Sequence, residues 1–117
     1  MSLIDGLKEL GVNTEEGLQR MMGNTSLYER MMGTFTKLID DYSIQPEDFD
    51  CDDCKEIIEK THAIKGASGN LSLTPIYKAY TEIVDLLRQG NPAEAKKLYE
   101  DVLPVQREII SCIEKNK

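Results

Sequence analysis

The chain has 117 residues, 40% hydrophobic and 30% charged, which is typical of one globular domain and excludes a disordered, collagen-like or disulfide-dense chain. Its net charge of −7 and pI near 4.7 argue against the phosphate backbone of a nucleic acid as a partner. No apolar run reaches the roughly 20 residues of a membrane span and no signal peptide is visible. We therefore expect a cytoplasmic protein without a membrane partner.

The predicted elements are all helices, because no stretch alternates β-branched or aromatic residues with polar ones. They are predicted over about 2–10, 14–22, 24–42, 52–71 and 74–89, and from 91 towards the C-terminus. Asn13 and Glu16 form a capping-box pattern. Thr74-Pro75 and Asn91-Pro92 each combine an N-cap residue with proline at the first helical position. Pro104 should kink the last helix or divide it in two.

The third helix begins at Asn24 or Ser26, and Gly33 lies inside it. The acidic stretch 43–53 reads as a loop before the next helix. Four long antiparallel helices with short connections predict an all-α, up-and-down four-helix bundle. The chain 1–117 then forms a single domain, with its bundle core over roughly 25–115 and an N-terminal cap over roughly 2–23.

The fourth predicted helix presents the single histidine of the chain to solvent. At about 100° per residue, Ile57, Ile64 and Leu71 fall on one line, which we assign to the core. His62 lies about 160–180° away from that line and shares its side with Lys65. A solvated, neutral imidazole is a competent nucleophile, and a lysine three residues on can reach an anion bonded to it.

Two glycines lie on the same side of this helix. Gly66 and Gly69 follow His62 by four and seven residues, and each glycine in a helix interior costs about 1 kcal/mol relative to alanine. Neither is needed to pack the core stripe, so we expect both to clear space beside the imidazole. Histidine, cation and cleared surface together favour a site that carries a phosphoryl group and is approached by another protein. The alternative is an ordinary surface histidine on a charged face.

The segment His62–Leu71, HAIKGASGNL, resembles the signature of histidine-containing phosphotransfer (HPt) domains, which is H-x-x-K-G followed by small residues. Residues 11–35 are similar to the N-terminal part of that family, and residues 70–77 to the stretch leading into its next helix. The likeness covers roughly 10–115. Many members of the family have glycine where this chain has Ser72, which puts the geometry of that turn in question.

The resemblance implies a phosphorelay intermediate of bacterial two-component systems. His62 would accept a phosphoryl group from the aspartyl phosphate of a receiver domain and pass it to a second receiver. Lys65 would stabilise the phosphoryl charge, while Gly66 and Gly69 would give the receiver access. A hybrid histidine kinase is a further candidate partner. The resemblance implies no cofactor and no metal site here, since magnesium belongs to the receiver, and the chain has no nucleotide-binding loop for autonomous kinase activity.

Two alternatives stay open. A non-phosphorylated helical adaptor could bind a receiver or a kinase through the same face, although it would not need the pair of His62 and Lys65. A zinc or thiol module could use the C-x-x-C pattern of Cys51 and Cys54, and a zinc site would need both Cys112 and His62 as its two further ligands. Three cysteines without a secretion signal favour reduced thiols, and the intervening Asp52 and Asp53 disfavour redox activity.

Overall fold

The computed structural model describes residues 2–116, and this part of the chain is helical with no β-strand. Its elements are α1 (Leu3–Glu9), α2 (Thr14–Arg20), α3 (Thr25–Tyr42), a 3-10 helix (Pro46–Phe49), α4 (Lys55–Asn70), α5 (Thr74–Arg88) and α6 (Pro92–Lys115). The molecule measures 43 × 24 × 22 Å, which reflects the length of the helices. The all-helical prediction is confirmed. Within the described residues, no helix is both long enough and apolar enough to cross a lipid bilayer.

Side-chain caps fix the starts of the early helices. The Ser2 hydroxyl accepts from the Asp5 N–H at 3.1 Å, and Asn24, rather than Ser26, caps α3 by accepting from the Leu27 N–H at 3.0 Å. The α3 helix passes unbroken through Gly33. The second helix is shorter than predicted and ends at Arg20 rather than near residue 22.

One prediction at a proline is corrected and the other is narrowed. The N-cap of α5 is Leu73, and Thr74 is already the first helical residue. The last helix is not divided, because α6 continues through Pro104 as one element. Proline removes the N–H that would bond the carbonyl of Glu100, and both residues are exposed, so water can take the place of that donor.

The stretch 43–53 is more ordered than the loop predicted there. Phe49, on its 3-10 helix, is buried with its ring centroid 5.1 Å from that of Tyr99 on α6. The Tyr99 hydroxyl donates to the Ile44 carbonyl at 2.9 Å, and Lys96 pairs with Asp50 at 3.2 Å. The connection is thereby attached to α6 immediately before α4 begins.

The core lies where α5 packs against both α4 and α6, while α3 also contacts α4 and α6. The short helix α1 packs on α6 and α2, and α2 packs on α3. The predicted core stripe of α4 is confirmed, since Ile57, Ile64 and Leu71 are all buried. The Tyr80 hydroxyl, fully buried, donates to Gln106 Oε1 at 2.7 Å, so this polar pair satisfies itself inside the core.

Candidate functional site

His62 lies on the outer face of α4 and is exposed, as the helical phase predicts. Within residues 2–116 no group hydrogen-bonds to its imidazole, so both ring nitrogens are open to a ligand. Its neighbour Thr61 is fully buried, which the sequence analysis missed. The Thr61 hydroxyl donates to the Ile57 carbonyl at 2.7 Å, so the polar group is satisfied within the helix while its methyl group packs in the core.

Lys65 follows His62 by three residues and therefore lies beside it on the same face of α4. Its side chain is half-buried and makes no ion pair in the described part of the chain. The nearby Lys60 differs, because its ammonium pairs with Glu56 at 3.3 Å. The Lys65 ammonium is thus available to an anion at His62.

The two glycines of the site have different surroundings. A Cβ at Gly66 would have no heavy atom within 4 Å, so no contact inside the chain requires glycine there. A Cβ at Gly69 would lie 2.9 Å from two ring carbons of Tyr77 on α5. Gly69 therefore also has a contact inside the protein, because its missing side chain makes room for that ring, which lies outside the core stripe of α4. Of the two glycines, only Gly66 leaves open space that no contact within the described residues requires.

An open groove of about 560 Å³ runs past His62, between α4, α2 and the start of α5. Lys65, Gly66 and Gly69 line it, so all four site residues predicted from the sequence border one groove. Its charged lining consists of one carboxylate and three cations, namely Glu16, Arg20, Lys65 and Lys78. A locally cationic surface on an acidic chain suits a phosphoryl group or an acidic partner.

Hydrogen bonds attach α2 to the turn that follows α4. The Asn13 N–H donates to the Ser72 carbonyl at 3.1 Å, and the Ser72 hydroxyl donates to Glu16 Oε1 at 2.8 Å. The predicted capping box is thus half formed, because Asn13 Oδ1 accepts from the Glu16 N–H at 3.2 Å while the Glu16 carboxylate turns to Ser72. The same carboxylate lies 3.5 Å from Arg20 Nη2. This chain of bonds places Arg20 at the groove.

Ser72 adopts a left-handed backbone conformation with φ of 55°. Such a conformation costs an L-residue roughly 1–2 kcal/mol and costs glycine almost nothing. This explains why glycine suits the position. The hydroxyl bond to Glu16 offsets part of that cost here, so serine preserves the turn and adds a link to α2.

Tyr28 on α3 supports the C-terminal end of α4 from inside the protein. Its buried hydroxyl donates to the Leu71 carbonyl at 2.7 Å. Burial, with a smaller contribution from the charge of Glu16, raises the Tyr28 pKa to about 12. Gly17 on α2 is the residue that leaves room for this hydroxyl, because a Cβ there would overlap Tyr28.

Cys51 and Cys54 are joined by a disulfide immediately before α4, which corrects the prediction of reduced thiols. Cys112, on α6, is free and half-buried, and burial raises its pKa. Among the described residues, no three histidine, cysteine or acidic side chains are grouped so that they could hold a metal ion.

The comparisons with known proteins find no counterpart: no protein-family model, no curated protein and no solved structure matches this chain.

Proposed function

We propose that this protein is a single-domain phosphorelay carrier of the HPt type, which accepts a phosphoryl group on His62 and passes it to a receiver domain. The observation that carries the proposal is the combination of an exposed, unbonded imidazole with open space at Gly66 and an unpaired ammonium at Lys65. A surface histidine without a role needs neither the helix-weakening glycine nor the free cation.

The proposal includes a four-helix bundle made of α3, α4, α5 and α6. Each of these helices contacts two others, α3 with α4 and α6, and α5 with α4 and α6, which is the pattern of neighbours around a closed bundle. The connections α4–α5 (71–73) and α5–α6 (89–91) are short, as antiparallel neighbours require, while the longer α3–α4 connection (43–54) holds the 3-10 helix. In this arrangement α1 and α2 form the N-terminal cap, and α2 supplies one wall of the groove beside His62.

In the proposed reaction, the unprotonated ring nitrogen of His62 attacks the phosphorus of an aspartyl phosphate. A nitrogen–phosphorus bond forms, the phosphorus–oxygen bond to the aspartate breaks, and its electron pair stays on the released carboxylate. The second ring nitrogen keeps its proton or releases it to water. A carboxylate of the next receiver then attacks phosphorus, and the departing electron pair returns to the imidazole.

The protein contributes position and charge to this exchange. In-line transfer requires the donor carboxylate to approach along the axis of the ring nitrogen, and the open face at Gly66 leaves that path clear. Lys65 would compensate the charge on the phosphoryl oxygens. Arg20 and Lys78 add to a cationic rim that favours docking of an acidic receiver pocket.

The test is transfer of a radiolabelled phosphoryl group from phosphorylated receiver domains to the wild type and to His62→Gln. Because the chain has one histidine, this variant removes every imidazole without touching the core. We expect label on the wild type alone, in an acid-labile and alkali-stable bond. Label retained by His62→Gln would refute the assignment. No transfer to folded wild type from a panel of receivers would favour the adaptor instead.

A pair of lysine variants separates the local effect of Lys65 from net charge. Lys65→Ala and Lys55→Ala remove the same charge from the same helix, but Lys55 is ten residues away and does not line the His62 groove. We expect Lys65→Ala to slow transfer by at least about tenfold and Lys55→Ala to leave it nearly unchanged. Equal slowing by both would show that only the overall charge matters.

A further inference from the structure

The Cys51–Cys54 disulfide lies in the turn that leads into α4, at the opposite end of that helix from the His62 groove. Its two cysteines are separated by three positions, the C-x-x-C spacing of dithiols that exchange electrons. The proposed phosphoryl chemistry does not use it, and its two cysteines pack only against the edge of the core, partly buried.

Solvent reaches the disulfide through grooves on both of its sides. Cys51 and Cys54 line a groove of about 670 Å³ between the start of α4 and the α5–α6 connection, where Leu87, Gly90 and Pro92 form the far wall. They also line a smaller groove of about 140 Å³ on the side of Lys60. Both cysteines are half-buried rather than enclosed. An external thiolate can therefore approach the sulfurs without unfolding of the protein.

The two sulfurs have different electrostatic environments. Cys54 is the N-cap residue of α4, a helix of 16 residues, and its own side chain makes no capping bond, while Asp53 Oδ1 accepts from the Lys55 N–H of the first turn at 3.2 Å. An N-cap side chain normally accepts from the N–H groups of the first turn, and the positive end of a helix stabilises a thiolate. A disulfide sulfur is a poor acceptor, whereas a thiolate at Cys54 would be a good one. The carboxylates of Asp52 and Asp53 oppose thiolate formation at both cysteines, so the helix end is the feature that distinguishes the two sulfurs, and it makes Cys54 the better leaving group.

Hydrogen-bond acceptors for the two reduced thiols already lie close to the sulfurs. The Phe49 carbonyl oxygen lies 3.5 Å from Cys51 Sγ, and the Cys51 carbonyl oxygen lies 3.4 Å from Cys54 Sγ. Once the sulfur–sulfur bond is broken, each thiol can donate to the adjacent carbonyl.

We propose that Cys51–Cys54 is a site of reversible thiol–disulfide exchange with a dithiol reductant, entered at Cys51. The attacking thiolate forms a mixed disulfide with Cys51 Sγ, and the electron pair of the broken bond moves to Cys54 Sγ, which then takes a proton. The second thiol of the reductant attacks its own sulfur in the mixed disulfide and releases Cys51. Two electrons and two protons pass to the protein, and the reductant leaves as a disulfide.

The Cys54 thiolate also explains the preference for a dithiol. It remains next to the mixed disulfide and can attack Cys51 Sγ again, which expels a monothiol before a second molecule arrives. A dithiol resolves the intermediate within the same molecule and completes the reduction. This inference does not depend on the role of His62.

The experiment uses the full chain carrying Cys112→Ser, so that the pair supplies the only cysteines. We expect no alkylatable thiol before treatment and two after dithiothreitol, without denaturant and with unchanged helicity, and we expect oxidised glutathione to restore the disulfide once dithiothreitol is removed. Glutathione at equal thiol concentration should be at least about tenfold slower. Mass analysis of the quenched glutathione reaction should find the mixed disulfide on Cys51 and the alkyl group on Cys54.

Four outcomes would overturn the proposal. The pair could remain a dithiol in oxidised glutathione, or it could be reduced only as fast as the whole protein unfolds, which would make it structural. Reduction by glutathione at the rate of dithiothreitol would remove the dithiol preference. A mixed disulfide on Cys54 would reverse the assignment of the leaving sulfur.

Discussion

Separate alanine substitutions at Gly66 and Gly69 should change stability in opposite directions, although the two glycines lie three residues apart on one helix. At Gly66 the new methyl group meets no atom within 4 Å, so the substitution changes stability only through the helix propensity of the residue. Glycine in a helix interior is about 1 kcal/mol less favourable than alanine. Gly66→Ala should therefore raise the unfolding free energy by about that amount, which for this length corresponds to about 4 °C in Tm.

At Gly69 the same methyl group would lie 2.9 Å from the ring of Tyr77. Relief requires the ring to move, and overpacking of this kind typically costs about 1–3 kcal/mol. The helix-propensity gain is also smaller near the C-terminal end of α4. We expect Gly69→Ala to be at least about 1 kcal/mol less stable than Gly66→Ala. In a Tyr77→Ala background that difference should largely disappear, because the methyl group then has space.

Urea denaturation followed by circular dichroism measures the stabilities, and the receiver transfer assay measures function on the same samples. Gly66→Leu should remain folded, since leucine is a good helix former, while its side chain obstructs the approach to His62 and slows transfer. Equal stability changes for the two alanine variants would refute the packing argument at Gly69. Transfer by Gly66→Leu at the wild-type rate would refute the access argument at Gly66.

Three further predictions concern the support of the site. Ser72→Gly and Ser72→Ala both lose the hydroxyl bond to Glu16, but only glycine relieves the left-handed backbone, so Ser72→Gly should be about 1 kcal/mol more stable in urea denaturation. Gly17→Ala should lower the unfolding free energy by about 2 kcal/mol, because its methyl group overlaps the Tyr28 hydroxyl, and in a Tyr28→Phe background the loss should shrink. Burial raises the pKa of Tyr28 to about 12 and also raises that of Tyr80, so their stabilising contribution is complete below about pH 10 and falls as pH rises towards 12. Denaturation at pH 9 and pH 11 checks the sign, and equal stability would contradict it.

The helices and the phase of α4 could be predicted because their determinants are local. The cap at Asn24, the proline at Pro92 and the spacing of the buried residues of α4 all act within a few positions of the chain. The same locality explains the error at Thr74 and the two outcomes left open at Pro104. A threonine before proline fits either the cap or the first turn, and whether a mid-helix proline interrupts the helix depends on solvent access to the freed carbonyl.

The rest of the site depends on contacts between residues that are distant in the sequence. Nothing local indicates that the Glu16 carboxylate binds Ser72, or that Tyr77 lies over Gly69. The disulfide was missed for a related reason, because C-x-x-C spacing fits a thiol pair, a metal site or a bridge, and the choice depends on backbone geometry. The sequence signal for a positive φ at Ser72 comes only from the proposed resemblance to HPt domains, many of which have glycine at the similar position.

The strongest physical argument for a phosphoryl carrier is that the His62 imidazole makes no hydrogen bond within the described residues, whereas the residues that shape its groove do. A nucleophile that must leave one protein and enter another should have no internal partner, because every bond to it would have to break in each transfer. The imidazole of His62 meets this requirement in the described chain. The groove beside it is instead fixed by two hydrogen bonds, from the Ser72 hydroxyl to Glu16 and from the Tyr28 hydroxyl to the Leu71 carbonyl. A rigid rim around an unbonded histidine lowers the entropy lost when a partner docks and leaves the reactive group available.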